Sequence, residues 1–232
     1  MQITLQTIGW AVVGGVAPTL LWLWFWLSHD DHPEPRGFLL LIFFTGALGV
    51  LLALPLEQIS NNLTSGDLNV WINAGIEEVL KLGLVWLIAL TSPLLDEPMD
   101  YIIYFITGAL GFAALENTLF MINPIAISDI ALTLTTSNLR FLGATLLHAL
   151  ASGVVGILLA ISFHHSRFSH LWHGIIGILL AITLHALFNL FIVDGSSLGV
   201  MGTLSVLWVL FVVILLVIRR IKHMHVIIKR VT

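Results

Sequence analysis

The chain contains no cysteine. Disulfides, cysteine-ligated zinc and thiol nucleophiles are therefore excluded together. Charge is scarce as well. Only 9% of the 232 residues are Asp, Glu, Lys or Arg, against about 25% in an ordinary soluble domain. So few charges cannot cover the surface of a water-soluble globule. Disorder is excluded for the opposite reason, since 58% of the chain is hydrophobic. Basic residues number nine, and five of them fall in the last fourteen positions. No basic patch for nucleic acid can be assembled from the rest. The N-terminal MQITLQTIGW lacks a basic n-region and no A-x-A site follows its apolar run, so it reads as a first span and not as a cleaved signal.

What the chain has in quantity is long apolar runs, with a mean hydropathy of +1.03. A bilayer core needs about 20 apolar residues per helix. Seven runs reach that length: Ile8–Leu27, Gly37–Leu56, Val70–Leu90, Tyr101–Asn123, Leu139–Phe163, Leu171–Val193 and Leu198–Ile218. The expectation is an all-α polytopic transmembrane bundle of about seven spans, one integral membrane domain over residues 1–232 with the lipid bilayer around it. With alternating spans, Arg36, Arg167, Arg219, Arg220, Lys222, Lys229 and Arg230 all fall on one side. The N-terminus is therefore expected outside and the C-terminus in the cytoplasm. The basic tail HMHVIIKRVT reads as a topology anchor. Arg140, near the opposite side, reads as an interfacial anchor. The fourth connection, Pro124–Asn138, is apolar without a basic residue, and is expected as an outer interfacial segment that gates lateral entry.

Several polar groups fall inside these spans, where each central charge costs about 2.5–3.5 kcal/mol on insertion scales. Span three holds Asn73, Glu77, Glu78 and Lys81, and span four Glu116 and Asn117. Span five holds His148, and span six His185 and Asn189. At about 1.5 Å per residue, the Glu and His positions lie about 10–14 Å in from the outer end of their spans. Four segments with opposing directions thus place costly groups in one layer. Asn73, Glu77 and Lys81 share a helical stripe, as do His185 and Asn189. Small residues on spans four and five, such as Gly108, Gly111, Gly153 and Gly156, point to spans three to six as the tight core. Lys81 balances one carboxylate of span three. The other and Glu116 leave about two negative charges beside two imidazoles. A divalent metal satisfies that set, zinc among the suitable ions, and shared protons are the rival solution.

Other constellations carry less. His164, His165, His170 and His173 lie at the cytoplasmic end and read as a solvated loop. Asp30, Asp31 and Glu34 read as hydration of a turn. Ser152 follows His148 by one turn, but no GxSG accompanies it, and HExxH and GxGD are absent. Asn73 and Asn117 read as interhelical hydrogen-bonding glue. A proton- or cation-coupled transporter or channel is the alternative function for the same Glu/His layer. It would be expected to show internal repeats and polar groups strung across the membrane, and neither is visible. A non-catalytic helix-binding scaffold would leave the charged layer without a use.

EEVLK at Glu77–Lys81 resembles the EExxK motif of the PrsW-like intramembrane metalloproteases. FAALEN at Phe112–Asn117 resembles their FxxxE segment, and HALFN at His185–Asn189 their HxxxN segment. His148 falls between them in RFLGATLLHALASG, and HDDHPEP at His29–Pro35 is similar to the family's acidic, proline-rich first loop. The wider CAAX-prenyl and bacteriocin-processing proteases show EExxxR and FxxxH instead, so Lys81 and Glu116 favour the PrsW-like branch. The resemblance, over about residues 29–190, implies an intramembrane peptidase acting on membrane-anchored, single-span proteins such as anti-sigma regulators, in a prokaryotic plasma membrane. It implies that Glu77, or its neighbour Glu78, activates water, with Lys81 holding the pair in position. Glu116, His148 and His185 would hold a divalent metal, zinc foremost, or the water. Asn189 would donate to the oxyanion.

Overall fold

The computed structural model describes residues 3–193 and 197–231, with side chains for 3–192 and 199–222. The tail side chains Lys229 and Arg230 lie outside the described residues. The described chain is helical: α1 (Leu5–Leu27), α2 (Arg36–Leu63), α3 (Gly66–Ala89), α4 (Pro98–Ala126), α5 (Ile130–Leu139), α6 (Thr145–Ile161), α7 (Arg167–Val193) and α8 (Ser197–Val231). A five-residue π turn, Arg140–Ala144, joins α5 to α6, so Ile130–Ile161 runs as one rod and the protein has seven such rods. Six are long and apolar enough to cross a membrane. The exception is α3. Its 24 residues are about 36 Å long, enough to span, but Glu77, Glu78 and Lys81 occupy its middle. Five of the seven expected runs lie within these helices, while Val70–Leu90 outruns α3 by one residue and Leu139–Phe163 outruns α6 by two.

The helices overrun the apolar runs that predict them, and the connections shrink accordingly. Between α2 and α3 only Thr64 and Ser65 remain. The Thr64 N–H donates to the Ser60 carbonyl at 2.8 Å, and Gly66 supplies the left-handed φ of +63° that favours glycine. The fourth connection is likewise mostly helix. Only Ile127–Asp129 lies outside helix, and Asp129 caps α5 by accepting from Leu132 N at 2.9 Å. The segment from Ile130 to Asn138 has no Pro or Gly to break it, and polar Thr and Ser on an exposed helix cost little. None of α5 is buried.

Helix α4 is the hub. Every residue from Pro98 to Ala114 is buried, as expected for a helix apolar on all sides. Its main neighbours are α1, α6 and α2, so the tight core is not confined to spans three to six. The reason is the small residues of α4 and α2. A Cβ on Gly46 would meet the Gly108 carbonyl, and one on Gly111 the Phe43 carbonyl. These glycines let the two backbones touch. The succession α2–α3–α7–α6 closes into a ring through α4, which packs on both α2 and α6.

At the end away from the charged layer, the first loop is tied to the third. His32 Nδ1 meets Glu97 at 3.0 Å and Asp31 meets Lys222 at 2.9 Å. Tyr104 donates to Glu34 and to the Leu94 carbonyl. The acidic turn is thus a clamp and not merely hydrated. Burial, together with Glu97 and Glu34, pushes the Asp30 carboxyl above its ordinary range.

Candidate active site

Helix α3 turns one stripe toward the middle of the ring. Asn69, Asn73 and Glu77 follow at i, i+4, i+8 and line a cavity of about 400 Å³ toward the α2–α3 turn end of the bundle. Glu116 of α4, Arg140 of the π turn, His148 of α6, and His185 and Asn189 of α7 complete its polar wall. Glu78 and Lys81 stand behind this wall, each with no exposed surface.

The groups form one chain of contacts. His185 Nδ1 is 2.7 Å from Glu78 Oε1, which also accepts from Lys81 Nζ at 2.7 Å. Lys81 Nζ is 3.0 Å from His148 Nδ1, and His148 Nε2 is 3.1 Å from Glu116 Oε2. Arg140 then donates to that Glu116 oxygen and, through Nε, to Asn117. Asn117 donates to Thr145 at 2.9 Å, which is the interhelical role expected of it. Asn73 likewise donates to Asn61 of α2 at 3.0 Å. Four helices therefore do bring their costly residues to one level. The lysine pairs with Glu78, however, and not with Glu77.

That leaves Glu77 distinct. Its Oε2 is buried without a hydrogen-bond partner, 3.8 Å from His185 Nε2. Glu77, His148 and His185 each offer one ligand atom, all within 4.8 Å of one another. The two imidazoles meet edge to face at 5.1 Å. A carboxylate and two imidazoles are a suitable donor set for a divalent cation, and an orphaned buried carboxylate oxygen at their meeting point fits one. His185 fits best. With Nδ1–H given to Glu78, its Nε2 lone pair faces Glu77, the usual carboxylate support of a ligating histidine. His148 fits with one adjustment, because its Nδ1 lone pair rests on Lys81 Nζ, which would have to turn aside for the ion, while Nε2–H stays on Glu116.

Arg140 changes the charge arithmetic drawn from the sequence. It neutralises Glu116, so Glu116 is not one of two surplus charges, and the converging carboxylate is Glu77. Arg140 is no interfacial anchor: its side chain is 15% exposed and lies 3.9 Å over the Phe120 ring. Its signal in the sequence is that it is the one basic residue near a span boundary on the side opposite the other loop and tail basic residues. Glu57 also lines the cavity. It escaped notice because the apolar run ends at Leu56 while α2 continues to Leu63. Ser152 is buried with its Oγ unpartnered. In the histidine loop, His170 Nδ1 contacts Ser162 Oγ at 2.8 Å and His173 Nδ1 the Ser169 carbonyl at 2.7 Å.

A family model described as PrsW family intramembrane metalloprotease matches residues 34–218. The chain belongs to that family. The match contains every group of the charged layer, from Glu77 to Asn189. Among curated relatives, the chain is 32% identical to Protease PrsW of Geobacillus kaustophilus (strain HTA426) over 119 residues, 48% of this chain and 52% of that one. It is 33% identical to Protease PrsW of Bacillus subtilis (strain 168) over 119 residues, 48% and 53% of the two chains. The matched stretch thus spans about half the length of these relatives. No solved structure matches. Membership of an intramembrane family agrees with the six apolar helices, and the protein is an integral membrane protein.

Proposed function

We propose that this protein is a metal-dependent intramembrane endopeptidase that hydrolyses a peptide bond of a single-span membrane protein, in a prokaryotic plasma membrane. Support comes above all from the convergence of Glu77, His148 and His185 at the wall of one cavity. The topology that accompanies this reading puts the N-terminus outside and the C-terminus in the cytoplasm, with the site in the outer half of the bilayer. Anti-sigma-like regulators are the substrate class in view.

Glu77, His148 and His185 would hold the divalent cation, zinc by the chemistry of the donors. A bound zinc supplies Lewis acidity to the scissile carbonyl and lowers the pKa of a water. Glu77 would meet the cation through one carboxylate oxygen and at the other take the proton of the attacking water and return it to the leaving amine, the work of a general base and then acid. Glu78 fixes the tautomer of His185 through Nδ1 and is itself fixed by Lys81. Glu116 orients the His148 ring. Asn189, on the cavity wall, donates its amide to the oxyanion, a suitable role for a neutral donor. With no thiol in the chain, direct attack of water is favoured over an acyl-enzyme.

The test uses the purified protein in detergent with a model single-span substrate and metal analysis. Wild type is expected to cleave and to carry one zinc, whereas Glu77→Gln and His185→Ala lose cleavage. Normal cleavage by both variants would overturn the assignment. Absence of cleavage, with proton or cation movement in liposomes, would transfer the same buried groups to a relay.

A further inference from the structure

Arg140 is unexplained by the roles above, and its surroundings are unusual. It begins a π turn in which the Thr145 N–H bonds back to the Arg140 carbonyl. A π turn adds one residue to a helical turn and is frequent at functional sites. Arg140, at the start of this turn, lines the cavity. The guanidinium then contacts three groups of α4: the Glu116 carboxylate, the Asn117 carbonyl oxygen and the Phe120 ring. Its planar fork and flat face suit that combination, and a lysine provides neither.

The geometry points to Arg140 as a positioning residue for His148, acting through Glu116. This inference rests on the proposed peptidase reading. Glu116 touches His148 Nε2, the nitrogen that faces away from Lys81. An unpaired Glu116 would be a second surplus carboxylate close to Glu77, and would compete for any cation or proton there. Arg140 prevents this by neutralising the carboxylate at the same oxygen that meets His148 Nε2. It holds Glu116 at a fixed distance from the imidazole and leaves Glu77 as the reactive acid. Partners of this kind typically carry a 10–100-fold effect on metal affinity or activity.

The experiment compares Arg140→Gln, Arg140→Lys, Glu116→Gln and the double variant Glu116→Gln/Arg140→Gln in the full chain. Cleavage of the single-span substrate gives kcat and KM, titration with zinc gives stoichiometry and affinity, and melting of the metal-free protein gives coupling in the fold. Arg140→Gln is expected to lower kcat roughly 10–100-fold with KM changed less than about threefold, while zinc stoichiometry stays at one. Arg140→Lys recovers part of the loss. The double variant regains activity relative to Arg140→Gln, because the uncompensated carboxylate is gone. Loss of zinc in Glu116→Gln would make Glu116 a ligand and overturn the assignment, as would independent, multiplying losses in the double variant. A KM effect without a kcat effect would make Arg140 a substrate contact instead. If wild type neither cleaves nor binds zinc, the peptidase reading fails. The melting cycle then still reads the Arg140–Glu116 coupling on its own, and a null coupling overturns the pairing itself.

Discussion

Replacing Lys81 with Met tests the buried network most directly. The ammonium has no exposed surface. It sits 2.7 Å from Glu78 Oε1, 3.0 Å from His148 Nδ1 and 5.3 Å from the centre of the Phe112 ring. Met fills a similar volume, so packing is largely kept. What changes is charge. Glu78 becomes a fully buried carboxylate supported only by His185. Breaking a buried ion pair from one side costs about 3–5 kcal/mol, whereas an interhelical hydrogen bond between neutral groups in membrane proteins averages about 0.6 kcal/mol. The two cases are separable. Unfolding in mixed micelles, followed by fluorescence of the eight tryptophans, should show Lys81→Met less stable by about 3 kcal/mol or more. Lys81→Met/Glu78→Gln should recover most of that, because neither partner then carries a charge. A loss under about 1 kcal/mol in the single variant, or a double variant less stable than the single, would refute the ion-pair account.

Chelation of the purified protein with a strong zinc ligand should abolish cleavage, and added zinc should restore it; activity that survives complete metal removal would contradict the proposed function. Gly111→Ala places a Cβ against the Phe43 carbonyl, a backbone atom that cannot step aside, so the α2–α4 crossing should open at a cost of about 1–3 kcal/mol. The check is its melting temperature against that of Gly37→Ala, where nothing stands within reach. Asp30 is held above its ordinary 3.8 by burial first, with Glu97 and Glu34 adding to the rise. A raised folded value means that the folded state binds the proton more tightly, so Asp30 favours folding at low pH. That contribution fades as pH climbs from about 3.8 through the raised value. Asp30→Asn keeps the acceptor for the His32 N–H at 3.1 Å. It should flatten the fall in melting temperature across that window, and an unchanged slope would remove Asp30 from the account.

Where apolar length decides the structure, the sequence is a sufficient guide. All seven runs fall on helices to within two residues, because a buried backbone in lipid has no other way to satisfy its polar groups. The helix ends were less legible. The ends of α2 and α5 are rich in Gln, Asn, Thr and Ser, which are poor in hydropathy yet continue a helix once a neighbour holds it. Asn61 and Ser60 are tied to Asn69 across the α2–α3 turn at 2.9 and 3.2 Å, and no periodicity announces such a contact. Depth counting correctly grouped Glu77, Glu78, Glu116, His148 and His185, since opposed helices at one level must meet somewhere in a small ring. It did not fix which acid pairs with which base. Glu77 and Glu78 differ by about 100° around α3, so one faces the cavity and the other Lys81. Arg140 was misjudged for a related reason: the π turn that aims it inward depends on hydrogen bonding after folding, and an α-helical projection misses the rotation.

The two histidines show how the surroundings divide the labour. Both are buried, and both have one ring nitrogen facing the cavity side of the network. His185 has a carboxylate behind Nδ1. A carboxylate can only accept, so Nδ1 carries the proton and Nε2 presents a lone pair toward Glu77. His148 has an ammonium behind Nδ1. An ammonium can only donate, so Nδ1 is the acceptor and Nε2–H points at Glu116. The same side chain is thus set in opposite tautomers by opposite charges, Glu78 in one case and Lys81 in the other. His185 is ready to bind a cation as it stands. His148 can do so through its Nδ1 lone pair once Lys81 turns aside, with Glu116 still accepting from Nε2–H. Lys81 therefore does more than balance Glu78: it couples the state of the second imidazole to the acid that supports the first. This links EExxK to both histidines, because its first acid faces the cavity, its second sets one histidine and its lysine sets the other.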